Sequence, residues 1–298
     1  MKAESPQPDQ PTRRPFVCLS PSFFVAAEFQ DALARLGLTS LEAVFAFDAG
    51  QDLAKANLGS FRRRIQFELQ PAGSGQPVKV FLKRYDRPPL SRQLRNWLCH
   101  RTRRSFARVE HETAEQLTAA GIRTPRTVAW GEQRGGLFEH RSFLMTEEVP
   151  DSQSLERRPP AYFTGPPTPA NVQARRDFLS RLASFIRRFH ETGYRHRDLY
   201  LSHIFCSEGG EFCLIDLARA SRPILQKRFQ IKDLAALHYS APAPYVSRTD
   251  RLRFYLAYTG RPRLLPPDRI FLRTILRKAG RMARHSVKHG IPIPYLGR

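Results

Sequence analysis

The segment from His196 to Asp216 restricts the fold of this chain more than any other feature. Its sequence is H-R-D-L-Y-L-S-H-I-F-C-S-E-G-G-E-F-C-L-I-D. Before it, residues 171–192 place apolar side chains at helical spacing. After the H-R-D-L loop, the apolar runs 204–206 and 212–215 flank the turn-forming residues 207–211, which predicts a β-hairpin. The segment therefore predicts a helix, a polar loop, a hairpin and an aspartate, in that order.

This order is typical of the catalytic loop of kinases and the metal-binding aspartate that follows it. In that arrangement Asp198 lies beside the hydroxyl that receives the phosphate, and Asp216 holds Mg²⁺ against the phosphates of a nucleotide. Phosphoryl transfer needs both, because it requires a positioned nucleophile and neutralised charge on the phosphate oxygens. The segment therefore predicts an enzyme that uses ATP and Mg²⁺.

The chain resembles the lipopolysaccharide core kinases, which comprise heptose kinases of the inner core and the related Kdo kinases. The segments that carry the resemblance are V-F-L-K-R-Y (80–85), A-R-V-E with A-G-I-R-T-P-R-T-V-A-W-G-E (107–132), S-F-L-M-T-E-E-V (142–149), Y-R-H-R-D-L-Y-L-S-H (194–203), L-I-D-L-A-R-A (214–220) and K-D-L-A-A-L-H-Y-S (232–240). The resemblance implies an α+β, two-lobed protein-kinase-like fold, with a small, mainly antiparallel β lobe and a larger, mainly helical lobe. It also implies ATP-dependent phosphorylation of heptose or Kdo in the inner core.

The domain organisation is expected to follow this fold. Residues 1–15, rich in Pro and charge, predict a disordered tail without the apolar core of a signal peptide. Residues 16–148 are expected to form the N-terminal nucleotide-binding lobe, and residues 149–298 the C-terminal catalytic lobe. Within the first lobe, residues 22–36 predict a short helix and residues 88–104 a basic insertion.

Two lysines compete for the role of binding the nucleotide phosphates. Lys79 and Lys83 have the same parity on one predicted strand, and Lys83 is preferred because Lys79 lies near the strand's start. A helix glutamate should hold this lysine, and Glu110, Glu112 and Glu115 precede Gly121 on a predicted helix. The resemblance selects Glu110.

The remaining nucleotide and metal contacts are less sharply defined. The chain lacks G-x-G-x-x-G, and Gly59 before the first strand of the sheet is the best substitute for a nucleotide-covering loop. Glu147 lies in the predicted hinge, where backbone groups would bind adenine. His203 stands where protein kinases carry a metal-binding Asn. Imidazole is a poor Mg²⁺ ligand, but the resembling kinases commonly carry His here, so His203 is assigned to the metal site with Asp216.

Three further residues are expected to support the catalytic loop. His196 and Arg197 would brace it by hydrogen bonds, and Asp233 would tether its backbone. Only sixteen residues separate Asp216 from Asp233. This is too short for the activation and peptide-docking segment of a protein kinase, so a small or glycolipid acceptor is expected.

The charge of the chain predicts an anionic partner. Its formal net charge is +22, which favours lipopolysaccharide core or a related anionic glycolipid and peripheral contact with the inner membrane. Basic clusters occur in residues 84–104, where Trp97 and Leu98 are apolar anchors, and in an amphipathic stretch at 269–288. No nucleic-acid-binding motif occurs, so nucleic acid is not expected. Without a run of about 20 apolar residues, a cytoplasmic location, possibly peripheral to the membrane, is expected.

Two alternatives stay open at this point. One is another small-molecule kinase of the aminoglycoside-phosphotransferase type. The other is a nucleotide-binding pseudokinase that acts as a basic scaffold. Asp198 and Asp216 favour an enzyme, whereas His203 and the missing glycine-rich loop favour the scaffold.

Overall fold

The structure is a computed structural model that describes residues 15–53, 60–73, 76–157 and 159–290. The described strands are β1 (Phe16–Ser20), β2 (Phe23–Ala26), β3 (Gln51–Asp52), β4 (Arg62–Leu69), β5 (Val78–Asp86), β6 (Thr127–Gly135), β7 (Phe138–Glu147), β8 (Ser152–Ser154), β9 (Ile204–Ser207) and β10 (Phe212–Leu214). The described helices are α1 (Gln30–Arg35), α2 (Leu41–Ala46), α3 (Leu90–His100), α4 (Phe106–Ala119), α5 (Ala161–Thr164), α6 (Pro169–Glu191), α7 (Gln226–Ser240), α8 (Arg248–Thr259) and α9 (Pro266–Lys288). Short 3-10 turns cover Ala27–Phe29, Leu201–His203 and Leu217–Arg219. The predicted tail lies outside the described residues, apart from Pro15.

The first half of the chain forms an antiparallel sheet in the order β1-β2-β6-β7-β5-β4-β3. Strand β5 lies inside this sheet, and its buried positions alternate with more exposed ones. Val80 and Leu82 therefore enter the core with Phe23, Leu33 and Phe143, while intervening side chains face the opposite side. That opposite side of the strand carries the lysines of the candidate site.

Helix α4 packs on this sheet and connects two cores. Its N-cap Ser105 accepts a hydrogen bond from the backbone N–H of Arg108 at 3.2 Å. It ends before Gly121, whose φ of +75° suits a residue without Cβ. The C-terminal half contributes Leu117 to the second, helical core, which Ile122 also enters. The helix therefore fixes the face that carries Glu110 relative to both parts of the fold.

The second half of the chain is mainly helical. The core around α6 contains Phe178, Leu182 and Phe189, and α6 packs against α8. Helix α9 packs against α7 and buries Ile275 and Ala279. It is therefore a core-packing helix with a basic outer face. A small sheet of β10, β9 and β8 carries the catalytic segment on this half.

These elements confirm the predicted α+β, two-lobed fold and correct two local predictions. Residues 22–36 are not one helix, because the apolar F-F-V-A run of β2 pairs with both β1 and β6 before α1 begins. The basic insertion at 88–104 contains an ordered helix, α3. The lobe boundary between residues 148 and 149 stays a prediction.

Candidate active site

A cleft of about 1230 Å³ lies between the antiparallel sheet and the catalytic hairpin. Its walls include Lys83 of β5, Glu110 of α4, Glu147 at the end of β7, His203 and Asp216. Five residues far apart in the sequence therefore meet at one opening, as the sequence predicted for a nucleotide site.

Lys83 is the centre of an ion cluster on the sheet side of this cleft. Its Nζ lies 2.5 Å from Oε1 of the buried Glu110 and 3.5 Å from Oδ1 of Asp216. Lys79 is half exposed, and its Nζ lies 3.7 Å from Glu148 instead. The structure thus brings Lys83, and not Lys79, to the helix glutamate. The Tyr85 hydroxyl donates to the other oxygen of Glu110 at 3.3 Å.

The electrostatics of this cluster favour the charged forms. Burial opposes the charge of Lys83, but Glu110 and Asp216 outweigh it and raise the pKa of this lysine. Burial alone would raise the pKa of Asp216; the positive charges of Lys83 and Arg64 instead hold it well below its usual range. Burial and the charge of Glu110 raise the pKa of Tyr85 to about 12. The cleft therefore contains an ionised aspartate with two flanking cations near neutral pH.

Asp216 owes its position to an unusual backbone conformation. It follows β10 with φ 57° and ψ 59°, in the left-handed region that most residues avoid. The turn that begins here, Leu217–Arg219, contacts α4. This geometry places the carboxylate within 3.3 Å of Arg64 on β4, on the strand that lies beside Lys83 in the sheet.

Asp233 of α7 tethers the catalytic loop. Its carboxylate is fully buried and accepts hydrogen bonds from the backbone N–H groups of His196, at 2.8 Å, and Arg197, at 2.7 Å. His196 Nε2 lies 3.0 Å from the carbonyl oxygen of Ile215, next to Asp216. Arg197 has a φ of 70°, and its guanidinium packs over the ring of Phe229. One buried carboxylate therefore fixes a strained loop.

Asp198 extends from this loop toward solvent and is held by two cations. Nη1 of Arg219 donates to both carboxylate oxygens, at 3.0 and 2.7 Å, and Lys232 Nζ donates at 3.3 Å. His203 Nδ1 lies 2.8 Å from the carbonyl oxygen of Asp198, and its Nε2 lies 3.9 Å from Oδ2 of Asp216. His203 therefore connects the loop aspartate to the second aspartate.

The donor set is consistent with Mg²⁺ at Asp216. In nucleotide enzymes Mg²⁺ is usually held by one or two carboxylates together with substrate phosphates and water. The ionised carboxylate of Asp216 supplies such a hard oxygen on the wall of the cleft. His203 offers nitrogen, which Mg²⁺ accepts less readily. Within the described ranges, no three His, Cys, Asp or Glu side chains group as a metal site, so phosphates would have to complete the coordination.

The two remaining predicted nucleotide contacts differ from the others. Gly59 lies outside the described residues. Glu147 lines the cleft, but its side chain is buried, with Oε2 3.0 Å from Arg126. Its backbone N–H donates to the carbonyl oxygen of Arg126 at 2.9 Å. Glu147 therefore fixes the end of β7 through its side chain, and a nucleotide contact here would come from the hinge backbone.

Sequence reasoning missed three cations of the site. Arg64 pairs directly with Lys83 in the β4–β5 register, which cannot be read without knowing that register. Arg219 follows Asp216 by three residues, and Lys232 precedes Asp233 by one. Both were within segments that carried the resemblance, so their basic character next to catalytic aspartates was the available signal.

Comparison with known proteins gives one consistent family. The model of the lipopolysaccharide kinase (Kdo/WaaP) family matches residues 31–258. The chain is 31% identical to the lipopolysaccharide core heptose(I) kinase WaaP of Pseudomonas aeruginosa over 194 residues, which is 62% of this chain and 71% of that protein. It is 28% identical to the enzyme of the same name from Escherichia coli K12 over 82% of this chain and 94% of that protein.

A solved structure also matches, under the description WaaP in complex with acyl carrier protein. It covers 81% of this chain and 91% of its own, with a TM-score of 0.58 and 26% sequence identity. The protein-kinase-like fold expected from the sequence is thereby confirmed. Since the family model covers well over half of the residues, this chain is a member of the lipopolysaccharide kinase (Kdo/WaaP) family.

Proposed function

We propose that this protein transfers the terminal phosphate of ATP to a hydroxyl of heptose or Kdo in the lipopolysaccharide inner core. The observation that carries the proposal is the pairing of Lys83 with Glu110 beside Asp216, in the same cleft as the tethered loop of Asp198. The family is one of kinases, so the chain is a phosphotransferase that uses a nucleotide. Heptose is the first acceptor to test, because the matched relatives are named heptose(I) kinases.

The roles of the individual residues follow from their positions. Lys83 and Arg64 would bind the nucleotide phosphates, with Glu110 holding Lys83 in place. Asp216, with His203 beside it, would hold Mg²⁺, which when bound neutralises charge on the phosphate oxygens. Asp198 would accept the proton of the acceptor hydroxyl as its oxygen forms the new bond to phosphorus and the bond to ADP breaks.

The cations around Asp198 give that carboxylate a second use. Arg219 and Lys232 hold it in a fixed orientation, and each has donors beyond those it uses on Asp198. Inner-core lipopolysaccharide is anionic, so these cations would also bind acidic groups next to the acceptor hydroxyl. Peripheral contact with the inner membrane belongs to the same proposal. In the described part of the chain, no helix is long and apolar enough to span a bilayer.

An acyl carrier protein is a further candidate partner. The matched structure was solved with acyl carrier protein, and the helical lobe of this chain contains an apolar cavity of about 120 Å³ lined by residues such as Phe178, Leu182 and Leu234. An acyl chain is the kind of group that such a cavity accepts. Binding of acylated carrier protein, compared with the unacylated form, tests this partner.

The experiment for the main function uses Asp198→Asn with Asp177→Asn as its control. Asp177 is an exposed aspartate of α6 that hydrogen-bonds Gln173. Loss of a positioned base costs about 10² to 10⁴ in rate, so Asp198→Asn should lose transfer to purified core while ATP still binds. The control should behave as wild type. Full activity in Asp198→Asn would remove this residue from the mechanism, and ATP binding by the wild type without transfer would favour the scaffold alternative.

A further inference from the structure

Helix α3 exposes a stripe of leucines. Leu90, Leu94 and Leu98 are 57%, 49% and 81% exposed. Their spacing of four residues places them one above another along a single face. A stripe of this kind normally faces a core, and here it faces solvent.

The side of α3 that faces the protein is polar. Gln93 and Asn96 are the buried residues of the helix. The Gln93 amide nitrogen donates to the carbonyl oxygens of Pro88 and Glu139, at 2.8 and 3.0 Å, and its amide oxygen accepts from the backbone N–H of Glu139 at 2.8 Å. Hydrogen bonds therefore attach the helix to the tip of the β6–β7 hairpin. The orientation is fixed, and the leucines are left free for another surface.

The hairpin tip extends the apolar surface. The ring of Trp97 stacks on that of Phe138, with centroids 5.4 Å apart. Phe138 is 39% exposed, and its neighbour Leu137 is 54% exposed. We call the leucine stripe together with Trp97, Leu137 and Phe138 the α3 patch. It combines two elements that are distant in sequence, which is typical of an interaction surface and not of scattered exposed side chains.

Positive charge surrounds the α3 patch. Residues 87–104 contain no Asp or Glu, and their arginines are Arg87, Arg92, Arg95, Arg101, Arg103 and Arg104. Arg104 is paired with Glu112. Arg87, Arg92, Arg95 and Arg101 are exposed and form no ion pair with any residue that the structure describes. Apolar side chains on one face with arginines at its flanks are typical of a helix that lies in a lipid interface.

The C-terminal end of α3 lies near the catalytic loop. Burial, followed by the positive charge of Arg197, lowers the pKa of His100 to about 4. Arg197 directly precedes Asp198. A surface contacted by α3 would therefore be close to the site where the acceptor hydroxyl binds.

We propose that the α3 patch docks this protein on an anionic phospholipid membrane, with the leucines entering the acyl boundary and the arginines contacting headgroup phosphates. The inference deepens the proposed function, because it supplies the surface that would bring the cleft to a lipid-anchored acceptor. Helix α9 fits this role less well. Its exposed apolar residues Ile270, Leu276 and Val287 are six and eleven positions apart and form no stripe.

The test uses the full chain and vesicles of phosphatidylglycerol with phosphatidylethanolamine. The triple variant Leu90→Gln, Leu94→Gln, Leu98→Gln keeps good helix formers on an exposed face. Partial burial of three leucines predicts about 100-fold weaker partitioning for this variant. The matched control is Ile270→Gln, Leu276→Gln, Val287→Gln, which removes a similar apolar area from α9 and should stay within about 3-fold of wild type. Equal losses in both variants, or none in the α3 variant, would overturn the proposal.

A second measurement does not depend on the folding of a variant. The chain has two tryptophans, and Trp130 is buried in the sheet whereas Trp97 lies in the α3 patch. Lipids brominated on their acyl chains should quench the emission of Trp97 in the wild type, and Trp97→Phe should abolish the quenching. Emission that stays unquenched in bound wild-type protein would place the patch away from the membrane.

Two further arms separate this proposal from its neighbours. Vesicles of neutral phosphatidylcholine should bind much more weakly, because the arginines then lack their partners. If the α3 variant keeps vesicle binding but loses binding of an acyl carrier protein, the patch is a protein-docking surface and the membrane proposal is wrong. Vesicle binding is measured without phosphate transfer, so vesicle binding by a wild type that transfers no phosphate would refute the proposed function and leave the docking surface intact.

Discussion

Replacement of Asp233 tests how the catalytic loop is held. In the structure its two carboxylate oxygens each accept one backbone N–H, from His196 and from Arg197, at 2.8 and 2.7 Å. Asparagine has the same shape but only one acceptor oxygen. In Asp233→Asn the amide NH₂ would therefore face one backbone N–H, and that buried donor would lose its partner.

The size of the effect follows from these two bonds. A hydrogen bond to a charged group contributes about 1.5 to 3 kcal/mol, and an unsatisfied buried donor adds about 1 to 3 kcal/mol. We expect Asp233→Asn to lower the free energy of unfolding by roughly 3 kcal/mol, or about 6 to 12 °C in Tm. Because a misplacement of about 1 Å costs on the order of 10² in rate, kcat should fall about 100-fold well below the Tm, while the affinity for ATP changes little.

Asp250→Asn is the matched control. Asp250 is also buried, and it accepts hydrogen bonds from the backbone N–H and hydroxyl of Ser247 at the start of α8, and from Arg175. Its replacement should cost similar stability without changing kcat, because none of its partners belongs to the catalytic loop. Thermal unfolding and steady-state kinetics on both variants decide the matter. Equal loss of kcat in the two variants, or a wild-type kcat in Asp233→Asn, would refute the tethering role.

Three other changes test separate parts of the account. Lys83→Ala should weaken ATP binding and lower kcat, whereas Lys79→Ala should act as wild type, as measured by nucleotide titration and kinetics. Asp216→Ala should abolish Mg²⁺-dependent ATP binding, and His203→Asn should be tolerated; the reverse pattern would contradict the metal assignment. Burial, with smaller opposing hydrogen bonds, raises the pKa of Glu139 to about 7 from an ordinary value of 4.5. The folded protein therefore keeps a proton that the unfolded chain releases, and stability should fall by up to about 3 kcal/mol as the pH rises from about 4.5 to 7. Glu139→Gln should flatten that slope in chemical denaturation, and an unchanged slope would show that another group causes it.

The catalytic segment was predictable because its geometry is local. The helix, loop and hairpin order follows from periodicity and turn residues between 171 and 216, and the structure reproduces it in α6, β9 and β10. The preference for Lys83 over Lys79 depended only on position along one strand, and Lys83 is the lysine that reaches Glu110. Both inferences needed no knowledge of how distant elements pack.

The rest depends on tertiary context. Arg64 reaches Asp216 because β4 and β5 pair in one particular register, and a shift of one residue would turn its side chain to the other face. The leucines of α3 have the spacing of a core-facing stripe, so the sequence pattern alone favours the opposite orientation. Only the hydrogen bonds of Gln93 to the β6–β7 hairpin show which face is buried.

The most direct test of the central claim is the mass of isolated lipopolysaccharide core after incubation with this protein, ATP and Mg²⁺. The account predicts an increase of one phosphate group, located on an inner-core heptose or Kdo, with the wild type and with Asp177→Asn but not with Asp198→Asn. An unchanged mass with folded, ATP-binding wild-type protein would contradict the account, and so would a phosphate gained equally with Asp198→Asn.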